Sequence, residues 1–422
     1  MKGKKITILL LLLLSAVLVF YLTKQEPPAE GPPGGENAQP GPPGEDIIAE
    51  IMREMTLEEK IGQLLMPSFQ FDSEGKPVKA VTKEIREQLA QFQVGGVILF
   101  SPNIESVEQT RALIAELQAA SKIPLFIAVD EEGGKVSRLN HDGSRIGATK
   151  LPGNAALGNT HDPELAYQVG RLLGRELFVL GFNMDMAPVA DVNTNPDNPV
   201  IGERAFGGDP REVAQMVGRM VQGLQSENVS SVIKHFPGHG DTALDTHQGA
   251  VVLDHGRERL EKVEWMPFRQ GIAAGVDGIM VAHLIVPQVS GSELPASLST
   301  EMLTGVLREE MQYKGLIITD ALDMAAITDH FSAGEAAVLA AAAGADILLM
   351  PESLPAAYQA LLAAVKEGRL GKEQLDASVR RILQTKKKRG LLDGAADRPD
   401  PYAVLGSEEH QNIVEEILVR QM

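Results

Sequence analysis

Val232-Ile233-Lys234-His235-Phe236-Pro237-Gly238-His239-Gly240-Asp241-Thr242-Ala243-Leu244-Asp245-Thr246-His247 is the stretch whose reading decides the fold. A short, largely apolar run from Val229 to Ile233 reads as a buried strand and stops abruptly in charge at Lys234 and His235. A strand buried on both faces belongs to a parallel sheet covered by helices. In such sheets the working side chains gather just past the strand ends. The loop that follows is loosened by Pro237, Gly238 and Gly240 and ends in Asp245-Thr246-His247, a carboxylate and an imidazole two residues apart. Packing does not require so many ionisable groups in one span, so something is bound or transformed here.

Outward from this stretch, apolar runs alternate with amphipathic ones. Strands are expected at Ile61–Pro67, Gly96–Phe100, Leu125–Asp130, Phe182–Met186, Ser231–His235, Gly278–Ala282, Leu316–Thr319 and Ile347–Met350. Helical patterns separate them at 104–121, 163–180, 209–228, 257–274, 299–312 and 333–344, and Thr56-Leu57-Glu58-Glu59 has capping-box spacing. This alternation predicts an α/β fold, a (β/α)8 TIM barrel forming a single catalytic domain. A doubly wound open sheet competes, but no Gly-x-Gly-x-x-Gly follows the first strand. Asp130, Asp185, Lys234-His235, His283 and Asp320 all fall at strand ends, where a barrel would gather them into one mouth. The tail reads as a helix at Lys372–Lys388, a turn region around Gly394–Pro401 and a last helix from Ser407.

The 422 residues carry a formal charge of −18. Four lysines precede Gln25 without any acidic residue, so the remainder carries 35 − 57 = −22. An acidic body of this size argues against nucleic acid or anionic lipid as the main partner. With no cysteine, disulfides, thiolate nucleophiles, Cys-ligated zinc and a lipid-modified N-terminal cysteine are all excluded. Lys2, Lys4 and Lys5 precede an uncharged, mainly apolar run from Ile6 to Leu22, the layout of an export signal. No small-x-small cleavage site follows closely, which favours a retained anchor over a cleaved signal. The expected organisation is a signal or membrane anchor at 1–24, a Pro/Gly-rich tether at 25–45 and the catalytic domain with C-terminal helices at 46–422. The protein is then extracytoplasmic, secreted or tethered to the bacterial membrane by its N-terminal segment alone, and is expected to be a monomer.

Each candidate side chain has a bland reading beside the functional one. Asp320, emerging from Leu316-Ile317-Ile318-Thr319, is placed to be a nucleophile or ligand, or else the N-cap of the next helix. Asp130 precedes Glu131-Glu132-Gly133-Gly134-Lys135-Val136-Ser137-Arg138; it can accept two sugar hydroxyls with Arg138 orienting it, or form a structural ion pair. The glycine pair there allows close backbone approach to a ligand. Asp245 and His247 fit a dyad in which the carboxylate fixes the imidazole tautomer for proton transfer, or an exposed polar loop. Metal binding by His235, His239, Asp241, Asp245 and His247 is the sharper rival. Against it, Ile61-Gly62-Gln63-Leu64-Leu65 has no His-x-His.

Lys234 to Thr242 followed by Asp245-Thr246-His247 resembles the signature of family 3 glycoside hydrolases, in the β-N-acetylglucosaminidase branch. Asp130 to Arg138, then Gly202-Glu203-Arg204-Ala205-Phe206-Gly207, then Ile318-Thr319-Asp320 match further motifs of that family in order, over about residues 50–390. Thr246 stands where the family usually has Ser, and Lys135 where it usually has Arg. The resemblance implies that Asp320 is the nucleophile of a covalent glycosyl–enzyme and that His247, paired with Asp245, is the acid/base. It also implies that Asp130, Arg138, Arg204, Lys234 and His235 hold the hydroxyls of N-acetylglucosamine, and that Phe236-Pro237 is cis. The implied activity is a retaining exo-β-N-acetylglucosaminidase, without metal or other cofactor, releasing the non-reducing-end sugar from peptidoglycan fragments, muropeptides or related β-glycosides. A phosphorylase or β-glucosidase of the same family, and a non-catalytic cell-wall glycan binder, are the competing expectations.

Overall fold

Helices begin where short polar side chains can take up their free N–H groups. Thr56 caps Leu57–Gln63 in a complete capping box with Glu59. Asp162, Asp209, Ser332 and Ser407 cap Pro163–Leu180, Pro210–Ser226, Ala333–Ala343 and Glu408–Arg420 in the same manner. A computed structural model describes residues 45–243, 249, 251–394 and 396–421. The N-terminal apolar run, Asp245 and His247 lie outside the described residues. Among the described residues no helix is long and apolar enough to cross a membrane.

The strands are Leu65–Met66 (β1), Gly96–Ile98 (β2), Phe126–Val129 (β3), Met184–Asp185 (β4), Ser230–Phe236 (β5), Val251–Val252 (β6), Gly278–Val281 (β7), Leu284–Ile285 (β8), Leu316–Thr319 (β9) and Leu348–Leu349 (β10). One parallel sheet runs β2-β3-β4-β5-β7-β9, and β1 pairs in parallel with β10. Parallel bridges Ser68↔Ile98 and Ile318↔Ile347 tie that pair to the two sheet edges, so the ladder curls into a TIM-barrel-like domain. β6 and β8 pair separately. Strand side chains such as Phe126, Met184, Ile233 and Ile317 are fully buried beneath the surrounding helices. Pro163–Leu180 and Pro210–Ser226 cross at Gly170 and Gly223, where an added Cβ would lie 2.3 Å and 2.2 Å from the facing carbonyl oxygens.

Two expected elements differ. Ile61, Gly62 and Gln63 end the helix Leu57–Gln63 rather than open a strand, because they form its buried face; short apolar runs do not by themselves separate the two states. The helix expected at 257–274 breaks into Arg257–Lys262 and Trp265–Ala273. At the break, buried Glu264 takes both Nε and Nη2 of Arg259, while Trp265 and Phe268 pack against Phe236. Lys83–Phe92 and Leu354–Lys366 are helices that the pattern did not single out.

The tail helix Lys372–Lys388 packs under the ring. Asp277 there meets Lys388 Nζ at 2.6 Å and Arg389 Nε at 2.5 Å, and Asp346 meets Arg381 Nη2 at 2.8 Å. Lys386 is completely buried, with its Nζ donating to Gln63 Oε1 at 2.8 Å. Burial pushes this amine down to about 7. An unfolded lysine titrates near 10.4, about three units higher. Between those values only the unfolded chain keeps the proton, so stability rises with pH across that window; below about 7 both states are protonated and the gradient ends. Lys386→Met is expected to be more stable than the parent at neutral pH and to lose this part of the pH slope in urea unfolding. An unchanged slope contradicts a neutral buried amine.

Candidate active site

Successive residues of a regular strand face opposite sides. β5 slips register between Ile233 and Phe236, and Lys234 and His235 both line one cavity of about 370 Å³. The Lys234–His235, Phe236–Pro237 and Ala187–Pro188 peptides are cis, the second as the resemblance implies. Asp130 from the end of β3, Arg138 and Arg204 from the loops after β3 and β4, and Asp320 from the end of β9 line the same cavity.

Its floor is a charge network. Lys234 Nζ lies 2.6 Å from both Asp130 Oδ1 and Glu132 Oε1. Arg204 grips Glu132 with two bonds, Nε to Oε2 at 2.9 Å and Nη2 to Oε1 at 2.8 Å. Arg138 Nη2 stands 3.5 Å from Asp130 Oδ2, its guanidinium over the Phe100 ring. Burial alone would raise the Glu132 carboxyl, but the charges of Lys234 and Arg204 outweigh it and hold the group at about 2. Burial likewise works against the Lys234 ammonium, yet Asp130 and Glu132 lift its pKa above the ordinary value. Glu132 and Lys234 therefore both stay charged near neutral pH, and the network offers fixed donors and acceptors, which suits a ligand with many hydroxyls.

Asp191, fully buried, orders the next layer. Its Oδ2 accepts from His235 Nδ1 at 2.7 Å, and its Oδ1 accepts the N–H groups of His235 and His239 at 3.2 Å and 2.6 Å. With its proton on Nδ1, His235 turns Nε2 toward Arg204 Nη2, 3.4 Å away. His239 also lines the cavity; Thr242 Oγ1 is 2.7 Å from its Nδ1, and burial holds its pKa below the usual imidazole value. Beneath lies an acidic pair. Glu131 Oε2 accepts from the N–H groups of Arg138 and Leu139, and burial lifts its carboxyl to about 7. Asp185 Oδ1 accepts the Glu131 N–H at 2.9 Å, and burial raises its pKa well above the ordinary carboxylate range.

Several alternatives resolve. Asp320 does not cap the following helix: Ala325–Thr328 is preceded by Met324 at its N-cap, and Asp320 Oδ1 accepts instead from Ala321 N–H at 2.8 Å. Asp130 is at once an ion-pair partner and a cavity-lining group. Gly133 and Gly134 have φ of +80° and +58°, and the pair packs closely on backbone: a Cβ on Gly134 would lie 2.7 Å from Gly153 Cα. Of the residues named for a metal site, Asp241 binds His255 Nε2 at 2.7 Å and Thr194 Oγ1 at 2.5 Å. Among the described residues no three His, Asp or Glu side chains stand as a metal-binding group. Asp185 and His283, placed at the mouth by their strand-end positions, are buried and do not line the cavity. Asp245 and His247 remain outside the described residues. Glu132, Asp191 and Asp323 were not foreseen as site residues, and His239 was foreseen only as a ligand of the rival metal site. For Glu132 the adjacent acidic run was a signal; for Asp191, six residues past β4, no local spacing was.

These features define a class of protein, a barrel-like domain whose mouth is a polar, charged cavity holding a carboxylate, and comparison gives its family. Residues 56–385 match the glycosyl hydrolase family 3 N terminal domain. A beta-hexosaminidase A of Pseudoalteromonas piscicida is 35% identical over 400 residues, covering 86% of this chain and 66% of that protein. The structure of a glycoside hydrolase family 3 beta-N-acetylglucosaminidase from Paenibacillus superposes with a TM-score of 0.81 at 42% identity, over 87% of this chain and 69% of that one. A beta-glucoside phosphorylase, BglX, superposes at 0.78 and 27% identity, over 89% and 66%. The chain thus spans about two thirds of the length of each. It belongs to glycosyl hydrolase family 3, in the β-N-acetylglucosaminidase branch, and is a glycoside hydrolase.

Glu132→Gln removes the buried charge that Lys234 and Arg204 share. Removing one partner from a buried pair costs roughly 3–5 kcal/mol, and a loss of that order is expected in urea unfolding. A variant as stable as the parent contradicts the network described.

Proposed function

We propose that this protein is a retaining exo-β-N-acetylglucosaminidase acting on peptidoglycan fragments or related β-glycosides. The observation that carries this reading is that Asp320 shares one cavity with Asp130, Arg138, Arg204, Lys234 and His235. The clamp holds the non-reducing-end sugar by its hydroxyls. Asp320 attacks the anomeric carbon and forms a glycosyl ester, while the departing oxygen takes a proton from His247. Water then yields a proton to His247 and attacks the same carbon, releasing Asp320; two inversions retain configuration. Asp245 fixes the tautomer of His247, which can both donate and accept near neutral pH.

Other parts of the reading follow from the N-terminal sequence and the surface charge. The protein works outside the cytoplasm as a monomer, tethered or secreted through residues 1–24. No metal takes part. Phosphorolysis is the second reading. It is favoured by the similarity to a beta-glucoside phosphorylase, and by the fact that a neutral base, unlike a carboxylate, does not repel an anionic acceptor.

Asp320→Asn is expected to abolish turnover of nitrophenyl N-acetylglucosaminide while thermal unfolding stays near that of the parent; appreciable turnover removes Asp320 as nucleophile. His247→Ala should slow alkyl glycosides far more than nitrophenyl ones, and equal losses argue against an acid/base role. Nitrophenyl glucoside, chelator and phosphate as parallel conditions separate the glucosidase, metal-dependent and phosphorylase alternatives. A sugar 1-phosphate product identifies the last.

A further inference from the structure

His283 stands at the end of β7, and the reaction just described leaves it without a task. It is completely buried, with Nε2 2.8 Å from the Ala321 carbonyl oxygen and Nδ1 2.7 Å from Ser297 Oγ. A carbonyl oxygen can only accept, so Nε2 carries a proton; in the neutral ring Nδ1 then accepts from the Ser297 hydroxyl. Ser297 is buried as well, its own N–H donating to Ala282 O at 3.2 Å. Ala321 is the residue after Asp320, and its N–H donates to Asp320 Oδ1 at 2.8 Å. On either side of it, Asp320 N–H donates to Val281 O and Leu322 N–H to Leu349 O, both at 2.9 Å. The turn after β9 is thus tied to β7 and β10, and Ala321, which donates to the carboxylate, is anchored from behind by an imidazole.

We infer that His283 is a positioning residue for the nucleophile. By holding the Ala321 carbonyl it fixes the N–H that grips Asp320 Oδ1, and with it the direction of the carboxylate. This rests on the reading of Asp320 as nucleophile. The N–H also acts in the second half of the reaction: stabilising carboxylate charge makes Asp320 a better leaving group from the glycosyl ester. Among the described residues His283 reaches the cavity through Ala321, which itself lines it. The sugar clamp draws on β3, β4 and β5, so loss of His283 should leave ground-state sugar binding alone. A misplacement of about 1 Å at a reacting group can cost about 10²-fold in rate.

His283→Leu removes the donor, whereas His283→Gln keeps an N–H at similar reach. His283→Leu is expected to lose about 10²-fold in kcat, by the same factor for nitrophenyl and alkyl N-acetylglucosaminides, with inhibition by N-acetylglucosamine unchanged. His283→Gln should recover most of that loss. Should the leucine variant not fold, His283→Asn, whose shorter amide reaches Ser297 but not Ala321, carries the same expectation. The role of His283 is overturned if kcat stays near that of the parent, if Gln restores nothing, or if N-acetylglucosamine binding falls in step with rate. Asp320→Asn measured alongside separates the two readings. Turnover retained there overturns the nucleophile and this inference together; turnover abolished there while His283→Leu runs normally overturns the role of His283 alone.

Discussion

A buried lysine, a half-buried arginine and two carboxylates hold the mouth of this barrel together. Lys234 and Glu132 are each almost wholly removed from solvent. An isolated charge at such depth would cost several kcal/mol in lost hydration, about enough to neutralise it. Here each ion is compensated at hydrogen-bond distance by more than one opposite charge: Lys234 by Asp130 and Glu132, Glu132 by Lys234 and a two-pronged Arg204. The groups come from β3, β5 and the loop after β4, so their pairing fixes three elements relative to one another. Uncompensated, the same residues would work against folding. Paired, they make a rigid surface of donors and acceptors that a polyhydroxy ligand can meet with little reorganisation.

A second shell keeps that surface in place. Asp191 sets the tautomer of His235 and anchors the backbone of His239. Glu131 collects the N–H groups at the base of the Arg138 loop. His283 and Ser297 stand behind the turn that carries Asp320. None of Asp191, Glu131 and His283 lines the cavity, yet each fixes a group that does. In a low-dielectric interior such bonds are stronger and costlier to lose than at the surface.

Much of this architecture is legible along the chain because it is local. Apolar runs mark most of the strands, Thr56, Asp162, Asp209 and Ser332 mark helix starts, and the long motifs around Asp130, Lys234 and Asp320 point to the family. The reading fails where a local pattern has two solutions. Ile61 to Gln63 are apolar or buried in either state, and only their neighbours make them helical. The break at Glu264 depends on Arg259 and on the aromatic cluster around Phe236, which no window of sequence brings together.

By itself the sequence determined the α/β alternation, the absence of thiol chemistry, the acidic body and the identity of the cavity residues Asp130, Arg138, Arg204, Lys234, His235 and Asp320. The tertiary structure alone decided which strand-end groups face the mouth. Asp185 and His283 occupy the same kind of position as Asp130 and Asp320 but turn inward, and Glu132 and Asp191 become structural centres of the site. Strand periodicity gives each side chain only a choice of two faces. Which face becomes a cavity and which a packed layer depends on how the ring closes and on which distant charges arrive to compensate a buried one, and neither is a property of any short stretch of chain.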